Sequence, residues 1–273
     1  MGFFSNRGKL IVALACVVAL AAMFFAALEA VSGYVGATGS DGLLGGFGFV
    51  DVLAYFFAGS DYYRIDDKVP FVLPIGWLIQ QVLIAVLVGH YTVRDFGGQA
   101  LQVFMRVGGR RSWWLSKCLW VVATVIVFYV AESVVALLAA AFGGFGAMGD
   151  VESIMVLGFP LSALDAGQTI LLLLLPTVLS LALSLAQVAL SLIVGPFMAF
   201  ASVIVFVAVS AYFGSPLLIG DCSMMARSSF VQQGGVEALA ALSECVIIGV
   251  VSVILGGVVL GRKDMVDGQD RAQ

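Results

Sequence analysis

The stretch "TILLLLLPTVLSLALSLAQVALSLIVGPFMAFASVIVFVAVSAYF", residues 169–213, contains no charged side chain. A helix crosses a bilayer with about 20 apolar residues, so this stretch is too long for one crossing and predicts two. We place the break between Gln187 and Pro196, where polar and helix-breaking residues cluster. The two predicted spans are therefore about 169–187 and 196–213.

Four further apolar runs predict four more spans, at about residues 10–31, 71–93, 113–142 and 236–260. The composition points the same way, since 62% of the residues are hydrophobic, 11% are charged and the mean hydropathy is +1.10. A soluble domain has about 25% charged residues. We therefore predict an all-α integral membrane protein in which residues 1–273 form a single transmembrane domain of six spans. The first run exceeds the roughly 7–15 residues of a signal-peptide core, which favours an uncleaved signal anchor.

Lys and Arg residues gather on one side of the predicted spans. If the N-terminus lies in the cytoplasm, the inner loops and ends carry Arg7, Lys9, Arg94, Arg106, Arg110, Arg111, Lys117, Arg262, Lys263 and Arg271. The outer loops then keep Arg64, Lys68 and Arg227, together with most of the acidic residues. Since Lys and Arg concentrate in cytoplasmic loops, we predict that both termini are cytoplasmic. A net charge of −4 argues against a nucleic-acid partner, which requires a basic surface.

The inner loop between spans two and three is predicted to contain a short helix. The segment "RDFGGQALQVFMRVGGRRSWWLSK", residues 94–117, holds five of the 13 Lys and Arg residues. Its apolar side chains recur at helical spacing over 96–107, which predicts an amphipathic cytoplasmic helix. Gly108 and Gly109 are suited to end that helix, and Trp113 and Trp114 follow at the depth of the membrane interface. The charge of this segment either only anchors the topology or presents a docking surface to a cytoplasmic partner.

Gly98, Arg110 and Lys117 match a pattern in which a glycine opens an amphipathic stretch, a basic residue follows and a lysine begins the next span. In this pattern and in its six-span layout the chain resembles the permeases of type-2 ABC exporters, a family that includes lantibiotic-immunity and drug-efflux permeases. The long outer segment before the last span, residues 214–235, is similar as well. The resemblance implies a multi-pass protein of the bacterial cytoplasmic membrane. It also implies outward movement of an amphipathic or hydrophobic substrate, such as an antimicrobial peptide, a drug or a lipid.

The resemblance further implies partners and a coupling segment. In the family, this loop seats in a groove of a cytoplasmic ABC ATPase subunit, and a second permease copy or a paralogue completes the unit. From this resemblance and from the amphipathic pattern of the segment, we assign Asp95, Gly98, Phe104, Met105, Arg106, Arg110, Arg111 and Lys117 to ATPase coupling. The phosphate-binding sequence G-x-x-x-x-G-K-[ST] is absent, since "GGVVLGRKD" at 256–264 has arginine at the lysine position. We expect ATP and magnesium on the partner and no cofactor on this chain.

The sequence offers little for bond-breaking chemistry. Its one histidine, His90, is predicted near the inner end of the second span, and the chain contains no G-x-S-x-G sequence. The four cysteines are isolated from one another, which is typical of small buried residues rather than of disulfides or a metal site. We predict that the chain is not an enzyme and binds no metal.

Three glutamates fall within predicted spans: Glu29, Glu132 and Glu244. Charges at membrane depth are costly, so each glutamate is a candidate for function. They either line a substrate path that opens outward or form structural hydrogen bonds with neighbouring helices. The alternative for the whole chain is a non-transporting membrane scaffold or assembly protein, and an intramembrane enzyme without a cofactor is a third.

Overall fold

A computed structural model describes residues 49–60, 73–96, 109–143, 161, 164–214 and 218–262, together with 14, 17, 18, 20–22, 24, 25 and 29. Within these ranges the side chains at 90–96, 110, 139, 142 and 143 lie outside the description. Apart from turns and one isolated β-bridge, the described residues are helical. For these residues, the structure confirms the prediction of an all-helical chain.

The helices with described bounds are α1 (Phe49–Phe57), α2 (Ile75–Phe96), α3 (Arg110–Gly143), α4 (Ala166–Val194), α5 (Pro196–Tyr212) and α6 (Ala238–Arg262). Two 3₁₀ turns, Ile219–Ser223 and Met225–Arg227, lie between α5 and α6. Of the predicted first span, 10–31, the described residues are all helical. Helix α1 was not predicted, because it is too short to cross a membrane and carries the charged residue Asp51.

Within the described residues, three helices are long and apolar enough to cross a membrane: Arg111–Leu138, Ala166–Val194 and Ala238–Arg262. Their outward faces and that of α5 carry large apolar side chains, with Leu119 70%, Phe197 75% and Leu239 69% exposed. Contiguous apolar surfaces of this kind are rare on soluble proteins. The chain is therefore a membrane protein.

Polar side chains of the long helices point inward instead. The buried ones include Gln80, Gln81, Glu132, Ser180, Ser184, Gln187 and Ser191. Hydrogen bonds between helices stabilise bundles in lipid, where apolar side chains gain little from contact with one another rather than with lipid. Large apolar side chains of the bundle thus face outward, and several of its polar side chains are buried inside.

Helix α4 is the central helix and contacts α1, α2, α3, α5 and α6. It ends at Gly195, whose φ of 89° lies in the region that favours glycine. Pro196 then begins α5, where its missing N–H and fixed φ suit the first helical position. The two helices therefore separate at Gly195, near the C-terminal end of the predicted interval 187–196. Gln187 remains helical and donates its side-chain N–H to the Ala85 carbonyl at 3.0 Å.

A close contact fixes the crossing of α3 and α6. The Trp114 indole lies against Gly256, and a Cβ atom at position 256 would come within 2.0 Å of Trp114 Cζ2. The Trp114 N–H donates to the Val253 carbonyl at 2.8 Å. Trp113 and Trp114 are only 4% and 3% exposed, so both indoles pack inside the bundle, and their depth at the membrane interface stays a prediction. For Trp114, the missing side chain at Gly256 lets the indole reach the backbone of α6.

Residues 218–236, which we call the cap, fold over one end of the bundle. Arg227 is fully buried there and forms an ion pair of 2.5 Å with Asp221. Its guanidinium also donates to the carbonyl oxygens of Ser60, Ser210 and Ala211, each at 2.8 Å. One side chain thus joins the cap to the end of α5 and to the segment that follows α1.

Three charged side chains that lie between the predicted spans are buried. Asp221 and Arg227 are 2% and 0% exposed, and Asp51 in α1 is 1% exposed. Arg227 tolerates burial because a carboxylate and three backbone carbonyls surround its guanidinium.

Candidate functional site

Arg111 and Arg262 line one groove, with Gly109, at the end of the bundle that we call the basic end. Arg111 lies in the first turn of α3, and Arg262 is the last residue of α6. Both side chains are exposed. Gly109, the first described residue after 97–108, therefore lies at the basic end.

Half of the residues predicted to couple to an ATPase are not described. Gly98, Phe104, Met105 and Arg106 lie outside the described residues. The predicted helix over 96–107 also lies outside the described residues, except for Phe96, which is the last residue of α2. The predicted role of this loop in ATPase coupling therefore rests on the sequence alone.

The other four residues of the predicted coupling segment lie at the ends of α2 and α3. Asp95 is in the last turn of α2 and Arg110 is the first residue of α3, and both side chains lie outside the description. Arg111 is exposed. Lys117 is half-buried, with its Nζ 5.2 Å from the centroid of the Trp113 ring, which is a cation–π distance.

A buried group of polar side chains, which we call the polar cluster, lies between α2, α3 and α4. Its members are Gln80, Gln81, Tyr129, Glu132 and Ser180. Gln80 Nε2 donates a hydrogen bond to Glu132 Oε1. Ser180 Oγ lies 2.8 Å from the Tyr129 hydroxyl and donates to Gln81 Oε1 at 3.0 Å. The cluster therefore joins three helices by side-chain hydrogen bonds.

Tyr129 also reaches the backbone of α4 near its proline. The Tyr129 hydroxyl lies 3.0 Å from the Pro176 carbonyl oxygen, and Pro176 stands inside α4. A proline inside a helix removes one backbone hydrogen bond and weakens the helix locally. The cluster thus adjoins the point where α4 is easiest to bend.

Three polar atoms of the cluster have no hydrogen-bond partner in the described part of the chain: Gln80 Oε1, Gln81 Nε2 and Glu132 Oε2. Two are acceptors and one is a donor. Each unsatisfied buried group costs about 1–3 kcal/mol, so a guest that donates to the two oxygens would be stabilised here. A cationic guest would also stabilise the ionised form of the Glu132 carboxyl group, which burial disfavours.

The three predicted path residues lie in different surroundings. Glu132 is 2% exposed and belongs to the polar cluster. Glu244 is half-buried in α6, with Oε2 4.0 Å from the Sγ of Cys222 in the cap. Glu29 is helical and exposed. The other four members of the polar cluster were not predicted, although the pair Gln80 and Gln81 in the apolar run "GWLIQQVLIAVLVG" was a usable signal.

No family model, no curated protein and no solved structure matches this chain. The resemblance to type-2 ABC exporter permeases therefore stays a prediction that rests on the loop residues and on the layout of the spans. Among the residues the structure describes, no group of three His, Cys, Asp or Glu side chains could hold a metal ion.

Proposed function

We propose that this chain is the membrane permease subunit of an ATP-driven ABC exporter. In this proposal it crosses the cell membrane six times, with both termini in the cytoplasm, and moves an amphipathic or hydrophobic substrate outward. The chain performs no bond chemistry. A separate cytoplasmic ATPase subunit binds ATP and magnesium, and a second permease copy or a paralogue completes the unit.

The observation that carries the proposal is that Arg111 and Arg262 line one groove at one end of the bundle. Arg110 precedes the first and Lys263 follows the second, so the positive charge of two distant chain segments converges there. Because Lys and Arg concentrate on the cytoplasmic side, the basic end is the end that an ATPase can reach. Gly109, which directly follows the segment that bears the resemblance to the family, lines the same groove.

Docking at this loop requires apolar contact as well as charge. Exposed ion pairs contribute only about 0–1 kcal/mol each, so Arg106 and Arg110 alone would hold an ATPase weakly. Phe104 and Met105 are the apolar side chains that we assign to the contact.

The polar cluster supports a substrate path through the bundle interior. Gln80 and Glu132 are 0% and 2% exposed, so the path is closed in this state. The loop 97–108 connects α2 to α3, and these are the helices that the Gln80–Glu132 hydrogen bond joins. A pull on the loop by the ATPase would shift α2 against α3, break that bond and free the Glu132 carboxylate for cargo. Glu29 and Glu244 remain our candidates for the outer part of the path.

Purification of the full chain from its native membranes tests the proposal. We expect one co-purifying chain to contain G-x-x-x-x-G-K-[ST] and to hydrolyse ATP, and we expect it to be absent when an unrelated multi-pass protein is purified from the same membranes. Recovery of this chain alone, or only with proteins that lack a nucleotide site, would favour the membrane scaffold instead.

A further inference from the structure

The basic end holds a groove of about 700 Å³ between the start of α3 and the end of α6. Its walls are apolar, and they are formed chiefly by Trp114, Leu115, Val253, Ile254, Gly257 and Val258. The groove exists because α6 has no side chain at Gly257, where a Cβ would lie 3.5 Å from Trp114 Cδ1, or at Gly261, where a Cβ would meet nothing within 4 Å. Its size lies within the roughly 300–1,000 Å³ of pockets that hold small organic ligands.

Two arginine side chains lie at the end of this groove where α3 begins and α6 ends. Arg111 and Arg262 both line it and both are exposed. Among the described residues, neither guanidinium forms an ion pair. Guanidinium groups bind phosphate oxygens through two parallel hydrogen bonds. The groove therefore combines a phosphate-binding end with an apolar trough.

We propose that this groove binds one anionic phospholipid, with its headgroup phosphate at Arg111 and Arg262 and an acyl chain along the apolar walls. Leu115 and Ile254, which line the walls, are 59% and 58% exposed on the surface of a membrane protein, so lipid reaches them directly. Basic pockets between transmembrane helices on the cytoplasmic side are suited to anionic headgroups. The buried Trp114 N–H is occupied by the Val253 carbonyl, which leaves the arginines as the polar contacts of the headgroup.

Charge complementarity favours this occupant over a second copy of the chain. A second copy would have to bring acidic side chains to the two arginines. The described exposed carboxylates are Glu29, in the predicted first span, and Asp165 and Glu237, which start α4 and α6. Arg262 ends α6, so Glu237 lies at the far end of that helix. The proposal does not depend on transport. It assigns Arg111 to a lipid and leaves Arg106 and Arg110 for the proposed ATPase contact.

Native mass spectrometry of the full chain tests the proposal. The purified chain is equilibrated with equimolar phosphatidylglycerol and phosphatidylcholine, and the ratio of the two retained lipids is measured. We expect the wild type to retain phosphatidylglycerol preferentially. Arg111→Gln and Arg262→Gln should each lower the ratio about fivefold, whereas Arg111→Lys should keep most of it. Gly257→Leu fills the trough and should also release the lipid.

Lys117→Gln is the matched control, because it removes one charge from the same helix at a position outside the groove. We expect its lipid ratio to equal that of the wild type. Equal retention of both lipids by the wild type would overturn the proposal. An equal loss in Lys117→Gln, an unchanged ratio in Gly257→Leu, or a dimer that retains no phospholipid would overturn it too.

Discussion

Gln80 of α2 donates a hydrogen bond to Glu132 of α3, and both side chains are buried. The loop 97–108 links these same two helices and is the proposed contact for the ATPase. Helices move as rigid elements in conformational transitions, so a displacement of the loop would reach this hydrogen bond through α2 and α3. The pair is therefore our candidate for the gate of the bundle interior.

Replacing Glu132 with Gln tests this role. The variant keeps the size of the side chain and an oxygen that accepts from Gln80, so we expect normal insertion and an unchanged unfolding temperature in detergent. ATP-driven efflux of ethidium, a hydrophobic cation, should fall about tenfold or more, since hydrogen bonds to charged groups contribute about 1.5–3 kcal/mol. Glu237→Gln makes the same substitution at an exposed position and should leave efflux intact. Wild-type efflux in Glu132→Gln would leave Glu132 a structural role only.

The contact between Trp114 and Gly256 predicts a strong effect of one methyl group. In Gly256→Ala the new Cβ would lie 2.0 Å from Trp114 Cζ2, so α3 and α6 must separate or the indole must move. We expect a loss of about 1–3 kcal/mol, the usual cost of overpacking, measured by thermal unfolding of the purified chain. Gly261→Ala is the control, because a Cβ there meets nothing within 4 Å. Equal unfolding temperatures for the two variants would contradict this account of the helix crossing.

The buried ion pair of the cap predicts a large loss of stability when its cation is removed. Arg227→Met withdraws the guanidinium from Asp221 and from three backbone carbonyls. We expect a loss of about 3–5 kcal/mol, seen as a lower unfolding temperature in detergent. Arg262→Met removes an exposed arginine and should change the unfolding temperature little. Equal unfolding temperatures for the two variants would show that Arg227 does not hold the cap in place.

The two ends of the bundle should differ in their access to a membrane-impermeant maleimide. Gly109 at the basic end and Gln233 in the cap are both exposed. We expect Gln233→Cys to react in intact cells and Gly109→Cys to react only after permeabilisation. Labelling of Gly109→Cys from outside the cell would overturn the proposed orientation.

The native thiol of the cap should contribute little background to that experiment. Burial, followed by the neighbouring Cys245, Glu244 and Asp221, raises the pKa of Cys222 to about 12. The reactive form is the thiolate, which is scarce below that pH. Labelling of Cys222 in the wild type should therefore be much slower at pH 7 than labelling of the exposed thiol in Gln233→Cys.

Helix positions followed from the sequence where the signal was local. The break near Pro196 was predicted because Gly195 and Pro196 dictate backbone geometry by themselves. The long apolar helices were predicted from their hydropathy, since lipid requires continuous apolar runs. Such properties belong to a short stretch of chain and need no knowledge of its neighbours.

Contacts between distant residues were not predictable in the same way. Nothing in the segment of Trp114 indicates that its indole would pack against Gly256. The outer loop that holds Arg227 was predicted, but its burial depends on carbonyls from two other segments. Glu132 was among the three glutamates singled out, but its bond to Gln80 follows from the packing of α2 against α3.

The central claim is that the loop 97–108 docks an ATPase through Phe104, and co-purification from native membranes of variants at this position tests it most directly. Phe104→Asp places a charge in the proposed apolar contact, whereas Phe104→Leu keeps the position apolar. We predict that the wild type and Phe104→Leu co-purify with an ATPase that contains the phosphate-binding sequence, and that Phe104→Asp inserts normally but loses it. Wild-type amounts of ATPase bound to Phe104→Asp would contradict the claim and leave the basic segment as a topology anchor.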